Sequence, residues 1–246
     1  MSERLENPGQ VKSDKSLRLH TKEALKIFKG RKPDATEGIR EIPGLPIYAS
    51  LLRDIWQSTI AGDLYGRWWI QKLETALKQS NEDLELLHGQ IQKKLAAFGD
   101  RLNLTASEAT EPVEVEIRYA SPYMYKIIYL LIQIDQIVAD MITLRHMAII
   151  TPKEFDSYRK QIVGSMHRTL MTLRQFKSYG VRSEDVKNQT ETYLKAKKEM
   201  GELPEDVADG SYVPEHMPTN LKVFGFHQST PAKAMSEQKE ADDANS

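Results

Sequence analysis

The chain has 246 residues, of which 40% are hydrophobic and 28% charged, a composition typical of a folded protein that buries its own core. It contains no cysteine, which excludes disulfides, thiol nucleophiles and cysteine-ligated metals. Its 34 basic and 35 acidic residues nearly cancel, so a surface for nucleic acid would require local segregation of charge.

Both ends of the chain are polar and are expected to lie outside the folded core. Residues 1–14 predict a disordered N-terminal arm, and residues 226–246 predict a disordered acidic tail. The first ten residues lack the apolar run of a targeting signal. We therefore expect a cytoplasmic protein with a single domain over residues 15–225.

The first predicted element is a short strand that leads into a short helix. Residues 16–21 alternate apolar and polar side chains, which is the period of a strand. Thr21 is a suitable N-cap for a helix over residues 22–29, and Gly30 is a suitable stop. About fifteen residues follow, several of them proline or glycine, and predict a loop.

The middle of the chain is predicted to be mostly helical. Apolar residues recur at helical spacing over 51–60 and over 73–98, and the second run fits one long helix or two stacked pieces. Residues 113–119 alternate and predict a second strand. Pro122 begins a helix expected to end near Ile150, whose apolar core is too short for a membrane span.

The last third of the chain predicts two further helices. Thr151 and Glu154 have the spacing of a capping box, which begins a helix that reaches about Tyr179. A second helix begins near Ser183 and ends before Gly201. The predicted fold class is therefore mainly α with two short β-strands.

Residues that carry catalytic or metal chemistry are sparse. No two of the six histidines lie three or four residues apart, and no glycine-rich phosphate loop or nucleophile elbow occurs. We therefore predict no catalytic residue, no metal and no cofactor. Asp135 and Asp140 lie on the apolar helix, where a buried carboxylate needs a partner. Arg145 is the candidate, and a structural ion pair is favoured over catalysis.

Positive charge is concentrated near the front of the chain. Eight basic and two acidic residues lie between Lys12 and Lys32, a local net charge of +6. In the strand, Leu17 and Leu19 face one side while Arg18 and His20 face the other. On the helix, the lysines at 22, 26 and 29 share one stripe. Long cations on one face suit a phosphate backbone, and the alternative is a solvated helix face without a ligand.

The strand also suggests a way to read bases. Paired with the same strand of a second copy, it would form a two-stranded ribbon that fits the major groove of DNA. The second predicted strand is a poor candidate, since its outward residues include Glu114 and Glu116, which repel phosphate. A second basic stretch runs through the C-terminal helices, where its charges are spread around the helices: Arg159, Lys160, Arg168, Arg174, Lys177, Arg182 and Lys187.

An aromatic cluster offers a competing interpretation. Trp56, Trp68 and Trp69 lie close in sequence and would suit a ligand platform or a partner surface. Helix packing or a dimer interface is the favoured explanation of such large aromatic residues. A partner surface at this cluster would instead make the chain a non-enzymatic interaction protein.

Several blocks of the sequence, in order, resemble one known family over roughly residues 17 to 215. The family is the AcaB-like regulators, which are encoded on conjugative plasmids and integrative conjugative elements. The blocks are residues 19–31 (LHTKEALKIFKGR), 42–45 (IPGL), 121–123 (SPY) before the long apolar helix, 179–185 (YGVRSED) and 200–204 (MGELP).

The resemblance implies a dimeric transcriptional activator of conjugative transfer genes, with a ribbon–helix–helix-type DNA-binding element attached to a helical core. The alternative is a non-enzymatic interaction protein of the conjugation or integrative-element machinery, which would bind a partner through the tryptophan cluster. Residues 15–62 would form the DNA-binding part, and residues 63–225 the core and dimerisation part. Compact ribbon–helix–helix units join their two helices by a short turn, whereas about fifteen irregular residues follow Lys29 here.

The expected partners are promoter DNA, a second copy of the chain and, as a candidate, RNA polymerase, with no membrane involved. Arg18 and His20 are the predicted base contacts. The predicted phosphate contacts are Lys15, Lys22, Lys26, Arg31 and Lys32.

Overall fold

The computed structural model describes residues 16–31, 42–99, 111–119 and 121–218, and the predicted arm, the predicted acidic tail, Lys15 and Lys32 lie outside them. The described chain is mainly helical, with two antiparallel sheets of two strands each, which confirms the predicted fold class. The elements are β1 (Ser16–Leu19), α1 (Lys22–Lys29), β2 (Gly30–Arg31), β3 (Ile42–Pro43), α2 (Leu45–Ile60), α3 (Leu64–Gly99), β4 (Val113–Glu116), α4 (Pro122–His146), α5 (Pro152–Met171), α6 (Ser183–Lys187), α7 (Glu191–Met200) and α8 (Glu205–Ala208).

Helix α4 is the centre of the core because it is apolar on nearly every side. Fifteen of its 25 residues are buried, and it packs against α1, α2, α3 and α5. Its length and composition alone would allow it to cross a membrane, but 72% of its apolar window is buried inside this chain. The interpretation of this segment as a core helix is confirmed.

Helix α3 resolves the alternative left open by the apolar run over residues 73–98. It is one helix of 36 residues that begins at Leu64, before that run, and packs against α2, α4 and α5. Asp63 fixes its start, since one carboxylate oxygen accepts from the backbone N–H of Tyr65 at 3.0 Å. The other oxygen accepts from Ser58 Oγ at 2.8 Å and from the N–H of Gly180 at 3.0 Å. This single side chain therefore ties α2, α3 and the segment after α5 together.

Three helices end earlier than predicted, each shortly before a non-glycine residue in the left-handed region. Helix α4 ends at His146, shortly before Ala148 with φ 57°. Helix α5 keeps its predicted capping box but ends at Met171, ahead of Gln175 with φ 68°. The helix predicted from Ser183 is divided into α6 and α7 at Gln189, with φ 49°. A residue with left-handed backbone ends a right-handed helix. This conformation is hard to predict from the sequence at residues other than glycine.

The last described residues fold back onto α3 through one carboxylate. Glu74 accepts hydrogen bonds from the hydroxyl groups of Tyr123 and Tyr212, the latter at 2.8 Å, and from the backbone N–H of Glu215 at 3.0 Å. Burial, together with the Glu74 carboxylate, raises the pKa of both tyrosines well above the usual range. The tyrosines therefore remain neutral donors at physiological pH, and residues 212–216 are part of the folded domain.

Candidate nucleic-acid interface

Strand β1 presents the two faces that its alternation predicted. Leu17 and Leu19 are buried, at 9% and 2% exposure, whereas Ser16, Arg18 and His20 are exposed. The apolar pair joins the main core, so the strand cannot slip by one residue without exposing both leucines. Burial on one side therefore fixes Arg18 on the outward side.

Helix α1 continues the same division into a buried and a charged face. Ala24 and Phe28 are buried, whereas Lys22, Lys26 and Lys29 are exposed at i, i+4 and i+7. Its start is capped by Thr21, whose hydroxyl accepts from the N–H of Ala24 at 3.3 Å, as predicted. We call residues 16–31 the N-terminal basic segment.

A carboxylate of the core helix holds the joint between β1 and α1. Asp135 is 6% exposed and accepts from the backbone N–H groups of His20 and Thr21, both at 2.8 Å. It also accepts from the Thr21 hydroxyl at 2.6 Å. Charge-assisted hydrogen bonds of this kind are short and strong. The basic segment is therefore fixed to α4 at the point where its strand becomes a helix.

The prediction that Arg145 is the partner of Asp135 is wrong. Ten residues separate the two on one helix, which is about 15 Å along its axis. Arg145 is exposed and lies over the ring of Phe155, with 5.2 Å from the guanidinium carbon to the ring centroid.

The second buried carboxylate of α4 has side-chain donors instead. Asp140 Oδ2 accepts from Gln92 Nε2 at 2.7 Å and lies 3.2 Å from His88 Nε2, and Oδ1 accepts from Gln136 Nε2 at 3.2 Å. Among the described residues, no group of three or more histidine, aspartate or glutamate side chains has the arrangement of a metal site. The carboxylates of α4 thus serve to fasten neighbouring elements.

The loop predicted after α1 falls largely on residues 32–41, which lie outside the described residues, and the segments on either side of them pair with each other. Strands β2 and β3 pair antiparallel, with Gly30 opposite Pro43 and Arg31 opposite Ile42. The backbones cross so closely that a Cβ on Gly30 would lie 2.3 Å from the carbonyl oxygen of Ile42. A Cβ on Gly44 would lie 2.5 Å from the carbonyl oxygen of Lys29. The end of α1 therefore adjoins the start of α2, as a short turn would require, even though the linking segment is long.

Strand β1 pairs within the chain. It lies antiparallel to β4, with Ser16 opposite Glu116 and Arg18 opposite Glu114. Ser16 Oγ donates to Glu114 Oε1 at 2.5 Å. The outward face of this sheet therefore carries two carboxylates beside the predicted base contacts. One edge of β1 is occupied by β4, so a ribbon between two copies would use the other edge.

The structure brings five of the seven predicted contact residues into one continuous segment. Lys15 and Lys32 lie outside the described residues. Within the described part of the chain, no carboxylate pairs with the cations of Arg18, Lys22, Lys26 or Lys29. The five described residues are all exposed: Arg18, His20, Lys22, Lys26 and Arg31.

Three cations of the C-terminal basic stretch are paired with acidic residues. Arg159 Nε lies 3.4 Å from Asp156, Arg168 pairs with Asp83 of α3, and Lys177 Nζ lies 2.5 Å from Glu199. The cations of this stretch are thus spread over several elements, and a part of their charge is neutralised.

The three tryptophans do not form one exposed platform. Trp56 and Trp69 are 6% and 4% exposed, and only Trp68 is partly exposed. Trp56 packs edge-on against Tyr123, with ring centroids 5.4 Å apart, and Trp69 packs against Phe176 at 5.7 Å. Core packing therefore accounts for most of this cluster, as favoured from the sequence.

Sequence reasoning missed the residues that hold the basic segment in place. The sequence predicts that Asp135 is a buried carboxylate, but its partners are backbone N–H groups more than a hundred positions away. It predicts Gly30 only as a helix stop and Gly44 only as a loop residue. The glycine pair bracketing a loop was the available signal for a close backbone crossing.

One family model matches most of the chain. The family model described as transcriptional regulator AcaB matches residues 7–220. The crystal structure of selenomethionine-containing AcaB from uropathogenic E. coli is similar, with a TM-score of 0.46 and 13% sequence identity. That match covers 82% of this chain and 98% of the other. No curated protein matches the sequence.

Proposed function

This chain belongs to the AcaB family of transcriptional regulators, and we propose that it binds promoter DNA through its N-terminal basic segment. The observation that carries the proposal is the exposed set of cations on β1 and α1 that no described carboxylate neutralises. A protein with a net charge of -1 has no general attraction for DNA, so a local patch must supply it.

The lysines of α1 would supply affinity. Lys22, Lys26 and Lys29 project from one stripe of a helix whose opposite side is anchored in the core. Each contact of such a lysine with a phosphate would release a condensed counterion, which favours binding and makes it depend on salt. These contacts position the protein and carry no sequence information of their own.

The outward face of β1 would supply specificity. Arg18 is an exposed arginine on a strand, and a guanidinium that donates two hydrogen bonds to guanine is the commonest specific contact in the major groove. His20 follows on the same side of the chain, with its backbone held by Asp135. Fixed backbone geometry favours base reading, because little conformational freedom is lost on binding.

The finer parts of the proposal follow from the family resemblance. We propose a dimer in which the free edges of two β1 strands meet, so that β4 and β1 of both copies form one four-stranded sheet. In this arrangement both copies of Arg18 would face one groove. Activation of conjugative transfer genes, contact with RNA polymerase and a cytoplasmic location complete the proposed role.

The test is selection of bound sequences from a random pool of DNA duplexes at physiological salt. We expect one enriched sequence with two-fold symmetry. Arg18→Ala should lower affinity for that sequence by about 1–3 kcal/mol, roughly 5- to 150-fold, and leave affinity for unselected DNA nearly unchanged. Arg53→Ala is the matched control, since Arg53 is an exposed arginine of α2 outside the basic segment.

Two results would contradict the proposal. Failure to retain any duplex would exclude DNA binding by the isolated chain. Enrichment that Arg18→Ala leaves intact would remove β1 as the reading element.

A further inference from the structure

A cavity of about 660 Å³ lies between α3 and the end of α5, away from the basic segment. Helix α1 packs against α2 and α4, whereas this cavity is lined by residues 69–80 of α3 and residues 168–175. Its volume falls within the range of pockets that hold small organic ligands. The proposed DNA interface does not include this cavity.

The lining of the cavity is positively charged. Its described lining residues include three cations, Lys72, Arg168 and Arg174, and no carboxylate. Arg168 is engaged by Asp83, which lies outside the lining. Lys72 and Arg174 have no ion-pair partner among the described residues. Hydroxyl groups of Thr75 and Thr172 add uncharged donors.

Aromatic residues hold the ammonium of Lys72 and the backbone of Arg174 in place. Lys72 Nζ lies 3.5 Å from the ring centroid of Trp68 and 3.7 Å from that of Trp69. Burial lowers the pKa of Lys72, so an anion beside it would relieve the cost of its charge. Trp69 Nε1 also donates to the carbonyl oxygen of Arg174 at 3.2 Å, which fixes the backbone that carries the guanidinium.

A residue with an unusual backbone conformation, Gln175, lines the cavity. After α5 the chain turns away at Gln175, whose φ is 68°, and Phe176 then packs on Trp69 with 5.7 Å between ring centroids. Non-glycine residues adopt this conformation at some cost, and such positions concentrate at ligand sites.

We infer that this cavity binds the phosphate group of a small phosphorylated metabolite, held between the ammonium of Lys72 and the guanidinium of Arg174. A guanidinium matches two phosphate oxygens with parallel N–H donors, while a lysine contributes a compact charge. The apolar lining from Trp69, Ala76 and Met171 leaves room for an organic part beside the phosphate. The inference does not depend on how the protein binds DNA.

The test is calorimetric titration of the full chain with inorganic phosphate, AMP and adenosine in phosphate-free buffer at constant ionic strength. We expect phosphate and AMP to bind and adenosine not to bind. Lys72→Gln with Arg174→Gln should weaken AMP binding at least tenfold. Lys93→Gln with Arg53→Gln is the matched control, since both are exposed cations of α3 and α2 outside the cavity, and it should bind AMP as the unchanged chain does.

Two results would overturn the inference. One is absence of binding by phosphate and AMP at millimolar concentration, or equal binding by adenosine. The other is AMP binding that survives both substitutions. If the double variant does not fold, Arg174→Gln alone serves, because Arg174 is exposed and its loss leaves the core intact.

A further arm separates a metabolite from DNA as the source of the phosphate. We call the chain with Lys72→Gln and Arg174→Gln the cavity variant. Its affinity for a DNA duplex is compared, without added phosphate, with that of the control that carries Lys93→Gln and Arg53→Gln. We expect equal affinities. A loss confined to the cavity variant would mean that a backbone phosphate of DNA occupies the cavity, and the metabolite inference would then be wrong.

Discussion

The chain has two basic regions that look alike in composition and differ in their surroundings. In the N-terminal basic segment, Arg18 of β1 and the three lysines of α1 have no carboxylate partner among the described residues. In the C-terminal region, Arg159, Arg168 and Lys177 each pair with an acidic residue. The first region therefore keeps the larger share of its positive charge available to attract an extended anion such as DNA.

The difference comes from where the acidic partners lie. Asp156 is three residues before Arg159 on one helix, so that pair is local, but Asp83 and Glu199 reach their partners from other elements. The buried carboxylate next to the N-terminal basic segment, Asp135, accepts hydrogen bonds from backbone N–H groups. It therefore does not pair with the lysines of α1. The number of basic residues in a region of the sequence therefore predicts anion binding only when the ion-pair partners of those residues are known.

The largest expected effect comes from removing the carboxylate that fastens the basic segment. Asp135→Ala leaves two backbone N–H groups and the Thr21 hydroxyl without their acceptor. Since a buried unsatisfied donor costs about 1–3 kcal/mol, we expect a loss of about 3–5 kcal/mol in the free energy of unfolding. DNA affinity should fall with it. Urea denaturation and a DNA titration measure the two quantities.

Asp140→Ala is the matched control on the same helix. The donors to Asp140 are the side chains of His88, Gln92 and Gln136, which are at least partly exposed and can turn to water. We expect about 1 kcal/mol of destabilisation and unchanged DNA affinity. Equal effects of the two substitutions would show that the joint between β1 and α1 does not depend on Asp135.

The next effect concerns the crossing at the ends of the loop after α1. A methyl group on Gly44 would overlap the backbone of Phe28 and Lys29, at 2.5–2.6 Å. Gly44→Ala should therefore destabilise the protein by about 1–3 kcal/mol and weaken DNA binding, because α1 must move. Gly164→Ala, in a helix with open space around it, should instead stabilise by about 0.5–1 kcal/mol. Thermal denaturation distinguishes the signs, and a stabilising Gly44→Ala would refute the close crossing.

The smallest effect tests the acidic neighbours of β1. Glu114→Gln with Glu116→Gln removes two exposed carboxylates from the face that carries Arg18, so affinity for unselected DNA should rise a few-fold at low salt. Glu82→Gln with Glu85→Gln, two exposed acids of α3, should have less effect. If both pairs of substitutions raise affinity equally, β4 does not lie beside the bound DNA.

Much of the fold followed from local patterns. The cap at Thr21, the stop at Gly30, the capping box at Thr151 and the burial of α4 were all predicted correctly, since each depends on a few neighbouring residues. The pairing of β1 with β4 was not, because the partners lie about a hundred residues apart and alternation fixes faces but not partners.

The candidate site divides in the same way. Which cations are exposed could be read from strand and helix periods, as for Arg18 and Lys26. Which of them remain unpaired depends on elements distant in the sequence, such as the acid from α3 that engages Arg168. The sequence therefore predicts the charged face. It does not predict the acidic residues that pair with cations or the carboxylate of Asp135 that fixes the segment.

The measurement that tests the account most directly is the salt dependence of DNA binding in two variants with the same loss of charge. Lys22, Lys26 and Lys29 are replaced by glutamine in one, and Arg159, Arg168 and Lys177 in the other. We expect the first variant to lose about 2.7 in the slope of log Kobs against log salt per chain, since each phosphate contact contributes about 0.9. The second should keep the slope of the unchanged protein. Equal losses in the two variants would show that DNA senses only net charge, and would contradict the claim that the unpaired N-terminal cations form the interface.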